Sequence, residues 1–240
     1  MPVESFSAGE VVGWHYIHGW IYVEGRQLFQ GEPFLRIPES PVDYRTNTET
    51  TMTTYCDIAP GHEWHGPYHD REYGFPLKGD TELFERLVLE INQAGLSWLT
   101  ILKKRAAFHQ AYGGFDPEIV SRYKAKDVKR LLADAGIIRN RLKIEAAIAN
   151  AKTILSLRES HGGFHDWLLA HHPRPRPEWV KLFKQTFRFT GGEIVGEFLL
   201  STGWIPGAHT ESCPVYVRVL RAKPPWAGKP TQRHRGHSEY

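Results

Sequence analysis

An all-α body is the fold class this chain predicts, on three observations. From Asp80 onward, apolar residues recur at the three- and four-residue spacing of amphipathic helices. Helix starts and breaks carry suitable residues, with Asp116 and Pro117 opening one helix and Gly136 interrupting two others. Alternating β-type runs are scarce after residue 52. A chain of 240 residues is long enough to bury a real core, and 41% hydrophobic with 24% charged residues is ordinary for a globular protein. No apolar run approaches the ~18 residues that span a bilayer, and no leader resembles a signal peptide, so a cytoplasmic protein without a membrane partner is expected. A net charge of +3 with pI ≈ 8.8 does not by itself establish a polyanionic partner.

Residues 1–51 differ in texture from the rest. The stretch VVGWHYIHGWIYVEG reads as a small hairpin or a short docking segment, a Pro-, Glu- and Thr-rich run follows, and no lysine precedes Lys78. Met52 is the only methionine besides Met1, and it opens MTTYC just ahead of the compact part. The expectation is a poorly ordered extension over 1–51 with Met52 as the natural start, a body over 52–222, and a basic tail over 223–240.

In TELFERLVLEINQ, Leu83, Leu87 and Ile91 form one line of a helix, with Phe84 and Val88 beside it. Glu90 falls inside that stripe. A carboxylate there is costly unless it is partnered, so Glu90 is either half of a buried ion pair or capping contact, or a pocket group used for chemistry or recognition. SWLTILKKRAAFHQAY continues the helical pattern with the basic run Lys103-Lys104-Arg105, and FDPEIV starts a short helix. In AKDVKRLLADAGIIRNRLKIEAAIANAKTILSL, two helices flank Gly136, with stripes at Val128, Leu131, Leu132 and Ala135 and at Ile144, Ile148, Ala151 and Leu155. PRPRPEWVKLFKQTF supplies a proline-rich link and another helix, and GGEIVGEFLLSTG comes next.

Cys56 and Cys213 are the only cysteines and lie near opposite ends of the body. A disulfide is disfavoured in a cytoplasmic protein, and two unrelated buried thiols remain possible on count alone. Yet each cysteine has a histidine at a ligand-like distance. CDIAPGHEWHGPYH contains Cys56 and His69, along with His62 and His65, while HTESC puts His209 and Cys213 at i and i+4, on one face if helical. Two thiolates and two imidazoles fill a tetrahedral Zn²⁺ shell with no open position, which is a structural and not a hydrolytic site. A zinc deaminase would need a P-C-x-x-C element, which is absent.

LLADAGIIRNRLKI carries a further signal. A glycine at the break is able to take positive φ, the amides that open the next helix favour anions, and Arg139, Arg141 and Lys143 cluster there. This is the form of a helix–hairpin–helix gripping a DNA backbone without reading sequence. An ordinary αα-corner with a solvated basic face is the alternative.

Together, Cys56, YHDREYG, LEINQAGLSWLTILKKR, FDPEIV, DAGIIRNRLKI and HTESC resemble the DNA-3-methyladenine glycosylase I family of the helix–hairpin–helix superfamily, over roughly residues 56 to 213. The resemblance implies a glycosylase fold with a zinc clasp joining the N- and C-terminal segments. Its Zn²⁺ ligands would be Cys56, His69, His209 and Cys213, with Tyr68, Glu90 and Trp98 lining the base pocket and Glu90 the catalytic group. The hairpin, with Gly136, Arg139, Arg141 and Lys143, would meet the DNA backbone. It further implies a monofunctional hydrolase that flips an alkylated purine, chiefly 3-methyladenine, out of double-stranded DNA, acting as a monomer with no organic cofactor. Asp166 is the next aspartate after the hairpin, and this family is not expected to use it as other superfamily members use theirs. The chain departs from the family's pattern at Ile58, at His65 and in PRPRPEWVKLFKQTFRFTGG. A glycosylase of shifted base preference and an inactive zinc-clasped DNA-binding module are therefore kept as alternatives.

Overall fold

The computed structural model describes residues 14–17, 20–23, 26–29 and 53–228. In the first three of these, strands β1 (Trp14–Ile17), β2 (Trp20–Val23) and β3 (Arg26–Phe29) form an antiparallel meander in the order β1-β2-β3. Trp14 pairs with Val23 and Ile17 with Trp20, and the β2–β3 register shifts between Ile21 and Tyr22. The stretch VVGWHYIHGWIYVEG thus holds the β1–β2 hairpin, with β3 following it, and all-α holds for the body alone. The reading of Met52 as the start and most of the 223–240 tail lie outside the described residues.

The body begins with the short α1 (Tyr55–Ile58) and α2 (His65–Arg71). Then come α3 (Asp80–Gln93) and α4 (Trp98–Ala111), joined by a turn in which Gly95 takes φ +86°, a value that disfavours any side chain there. Ser97 caps α4, its hydroxyl accepting from Thr100 N at 3.2 Å. Asp116 caps α5 (Pro117–Ser121) through Glu118 N, with Pro117 at the first helical position as anticipated. Next are α6 (Ala125–Ala133) and the long α7 (Arg141–His161). The chain closes with α8 (Phe164–His171), α9 (Arg176–Thr186), α10 (Gly192–Ser201) and α11 (Pro214–Arg221).

Helix α3 is the hub, packing on α4, α5, α7, α8 and α10. Its Leu83, Phe84, Leu87, Val88 and Ile91 are fully or almost fully buried, as the periodicity requires. The FHDWLLAH segment that forms α8 stood out by no stripe of its own. It sits over an aromatic cluster in which the Phe164 ring stacks on Phe198 at 5.5 Å and contacts Phe183 and Phe187. The two stripes flanking the hairpin are narrower than the pattern suggests. Ala135 lies past the end of α6 and is exposed, and Ile154 and Leu157 go into the core where Leu155 is only half-buried. Among the described residues, no helix is long and apolar enough to cross a membrane.

Candidate functional site

Glu90 sits in the last turn of α3, 4% exposed, so the inward carboxylate is real. Ser201, at the end of α10, has its Oγ 3.4 Å from Glu90 Oε1 and 3.2 Å from the Phe198 carbonyl, with one proton to give to either oxygen. The Ser201 carbonyl in turn accepts from Gly74 N at 2.9 Å, tying α10 to the chain that leaves α2. Tyr68 on α2 is 4% exposed and Trp98, the first residue of α4, is 6% exposed. Their ring centroids lie 5.1 Å apart at 55°, so an aromatic wall is assembled from two helices far apart in sequence.

Arg86, one turn before Glu90 on α3, went unnoticed in the sequence. It is buried, donates from Nη1 to Tyr68 Oη at 2.5 Å and from Nη2 to Glu72 Oε2 at 3.3 Å, and sets its guanidinium 4.8 Å from the centre of the Tyr68 ring. The signal was available, because Arg86 is misplaced in the apolar stripe in the same way as Glu90, four residues earlier. Glu72 is also held by Arg105, whose Nη1 lies 2.7 Å from both carboxylate oxygens while its Nε donates to Glu85 at 2.8 Å. Burial works against the Arg105 charge, but the hydrogen bonds and attraction of Glu85 and Glu72 outweigh it and raise its pKa. A cleft beside Tyr68 is lined by Trp64, Lys103, Arg105 and His109.

Next to this wall lies a thiol–imidazole cluster. Cys56, His69, His209 and Cys213 each bring one donor atom, all within 4.8 Å of one another. Cys213 Sγ lies 3.7 Å from His69 Nε2 and 3.7 Å from His209 Nδ1. Zinc bonds of ~2.3 Å to sulfur and ~2.1 Å to nitrogen at a tetrahedral angle would separate the two atoms by ~3.6 Å. The outer nitrogens are also occupied. His69 Nδ1 donates to Asp70 Oδ1 at 2.8 Å and His209 Nε2 to the Tyr73 carbonyl at 2.8 Å, since neither oxygen is able to donate. These bonds turn one bare nitrogen of each ring toward Cys213, as metal-ligating histidines require. Burial, with the nearby His69, lowers the His209 pKa against the opposing Tyr73 and Asp70 contacts, which favours the neutral ring a metal needs. The HTESC segment reaches this geometry without being helical. It is a turn, with Cys213 N donating to Thr210 O at 3.0 Å and Cys213 capping α11.

Around Gly136 the chain forms α6, a seven-residue connection and α7, and two expected details of this segment are corrected. Gly136 does not take positive φ. It is glycine because a Cβ would come within 2.9 Å of Ala107 Cβ and 3.0 Å of Asp134 Oδ1. The same Asp134 accepts from Gly136 N at 2.7 Å, and Lys104 Nζ donates to the Ala135 carbonyl at 2.9 Å, so α4 supports the hairpin directly. Lys143 does not face solvent. It is 5% exposed, and its Nζ donates to the carbonyls of Ala94 at 2.6 Å and Asn92 at 3.1 Å, closing the C-terminus of α3. Burial lowers its pKa. An ammonium committed to two carbonyls is not presented to a phosphate. Arg139 and Arg141 are exposed as anticipated, beside Leu142, which is 64% exposed. Asp166 is exposed and paired with His165.

Comparison with known proteins identifies the family. The family model for methyladenine glycosylase matches residues 60–180. The chain is 32% identical over 183 residues to DNA-3-methyladenine glycosylase of Haemophilus influenzae, covering 68% of this chain and 98% of that protein. It is 35% identical over 168 residues to DNA-3-methyladenine glycosylase 1 of Escherichia coli K12, covering 62% of this chain and 89% of that protein. Its fold is similar to the crystal structure of a tyrosine-to-phenylalanine variant of 3-methyladenine DNA glycosylase I in complex with 3-methyladenine. That match has a TM-score of 0.62 at 32% identity and covers 67% of this chain and 96% of the other.

Proposed function

The chain belongs to the methyladenine glycosylase family, and on that premise we propose that it excises 3-methyladenine from alkylated double-stranded DNA, with Tyr68, Glu90 and Trp98 receiving the flipped base. The observation that carries this reading is the buried Glu90 carboxylate, one turn along α3 from the Arg86 that holds Tyr68, together with the wall that Tyr68 forms with Trp98.

Methylation at N3 leaves the base cationic and its glycosidic bond already weak. Most of the work is then extrusion and recognition of the base. Glu90 accepts from the amino edge of the base, and its negative charge favours a cation over neutral adenine. Trp98 offers a π face, worth ~0.5–2 kcal/mol toward a cation. Tyr68 adds a hydrogen bond. The leaving group needs little general-acid help, and Asp166, exposed and paired with His165, has no part in the step. Arg139 and Arg141 meet backbone phosphates together with the amides that open α7, which fits binding without sequence preference.

The donor set and its spacing suit a structural Zn²⁺, which Cys56, His69, His209 and Cys213 would hold; when bound it supplies stability and no hydrolytic chemistry. As a clasp it would join α1 and α2, through Cys56 and His69, to the segment before α11. The enzyme acts as a cytoplasmic monomer in this reading, with both thiols available to the metal.

The test is base release from methylated double-stranded DNA by the full chain, resolved by chromatography. Release of 3-methyladenine is expected. A different released base would establish the shifted preference that Ile58, His65 and the 173–192 segment leave open, and no release at all would leave a zinc-clasped DNA-binding module.

A further inference from the structure

We infer that Arg86 is a positioning residue for base recognition: it donates to the Tyr68 hydroxyl and fixes the direction from which that hydroxyl meets the flipped base. The inference rests on the assignment of Tyr68 to the base pocket.

A phenol oxygen carries one proton and accepts through its lone pairs. With Arg86 Nη1 donating to Tyr68 Oη at 2.5 Å, an accepting site of the hydroxyl is committed to the protein. A guanidinium has no acceptor, so this bond has only one polarity. The guanidinium thereby fixes the Tyr68 oxygen through one of its lone pairs, and toward a ring nitrogen, which carries no proton, the hydroxyl acts as the donor. An adenine edge presents one amino donor flanked by ring-nitrogen acceptors. A carboxylate for the amino group and a hydroxyl donor for a ring nitrogen form a complementary pair, and Glu90 with an Arg86-oriented Tyr68 supplies it.

A purely structural role fits the geometry less well. Glu72, the other partner of Arg86, already has Arg105 Nη1 at 2.7 Å from both of its oxygens, and the Arg86 contact to it is longer, at 3.3 Å. The shorter and better-buried bond is the one to Tyr68. A direct electrostatic role toward the base has the wrong sign, because a positive charge repels a cationic purine. The network removes that conflict. Two guanidiniums, Arg86 and Arg105, are matched by two carboxylates, Glu72 and Glu85. Glu90 is then the group that sets the sign of the pocket, and Arg86 contributes orientation.

The experiment is a double-mutant cycle on the full chain, with single-turnover release of 3-methyladenine as the rate and substrate titration to separate KM from kcat. Arg86→Met and Tyr68→Phe should each lower the rate by about the same factor, on the order of 10-fold for one oriented hydrogen bond. The double variant should be no slower than Tyr68→Phe alone, because Arg86 acts only through the hydroxyl. Arg86→Lys, which keeps a donor, should recover most of the rate lost in Arg86→Met, and it also answers the question if Arg86→Met does not fold. A wild-type rate in folded Arg86→Met, effects that multiply in the double variant, or no recovery with folded Arg86→Lys would each overturn the inference. A wild-type rate in Tyr68→Phe would instead overturn the base-pocket assignment of Tyr68 on which it rests.

Discussion

Lys143 Nζ donates to the carbonyl of Ala94 across 2.6 Å, joining the first turn of α7 to the end of the helix that carries Glu90. The element that grips the DNA backbone in the proposed mechanism is therefore bolted to the element that meets the base. A lysine clustered with Arg139 and Arg141 in sequence serves the architecture of the site and not its charge.

DNA binding by salt dependence separates these roles. Arg139→Ala with Arg141→Ala should reduce the slope of log affinity against log salt by about two ions while leaving stability nearly unchanged. Lys143→Met should leave the slope intact and lower stability by ~1–3 kcal/mol, because the α3 carbonyls lose their donor. A reduced slope in a fully stable Lys143→Met protein would return that lysine to the DNA surface.

Glu90→Gln separates stability from function. Ser201 Oγ, 3.4 Å away, is able to donate to an amide oxygen as well as to a carboxylate, so for a pocket group stability should change by less than ~1 kcal/mol, whereas breaking a buried ion pair would cost ~3–5 kcal/mol. Base release should fall by about 10²-fold, the scale of losing one preorganised electrostatic partner. Thermal unfolding and release rate measured on one preparation decide this. A folded Glu90→Gln protein with wild-type rate removes Glu90 from the mechanism.

Metal analysis of undenatured protein should find about one zinc per chain. Cys213→Ser should lose that zinc and lower Tm by roughly 10 °C, the shift expected when ~3 kcal/mol is lost from a domain of this size. Activity should fall with it, because His209 bonds the Tyr73 carbonyl and Gly74 bonds the Ser201 that contacts Glu90. Metal-free wild-type protein of unchanged Tm would refute the clasp.

Gly136→Ala tests why the hairpin carries glycine. The added Cβ would meet Ala107 and Asp134, so a loss of ~1–3 kcal/mol is expected together with weaker DNA binding. Ala107→Gly in the same chain should recover part of the stability. If Gly136→Ala is neutral, the hairpin is not packed against α4 as described.

Much of this molecule was legible in the chain itself, because the relevant physics is local. The spacing of Leu83, Leu87 and Ile91 makes α3 a core helix, and the same spacing turns Glu90 inward. Asp116 and Pro117 mark the start of α5 without reference to anything distant. Cys56 and Cys213 stood out because thiols are chemically distinctive and the chain has two, whereas taking His69 over His62 and His65 rested on the family resemblance. Tertiary structure decided whatever depends on a partner remote in sequence. Lys143 reads as a basic hairpin residue until the α3 carbonyls, some fifty positions earlier, are placed beside it. Arg86 reads as an oddity until Tyr68 accepts from it, and Gly136 as a flexible turn until Ala107 occupies the space where its Cβ would lie. HTESC brings its histidine and cysteine together through a turn, where helical spacing suggested a shared face. Periodicity determines which way a side chain points from its own helix; what waits for it there is determined only when the helices pack.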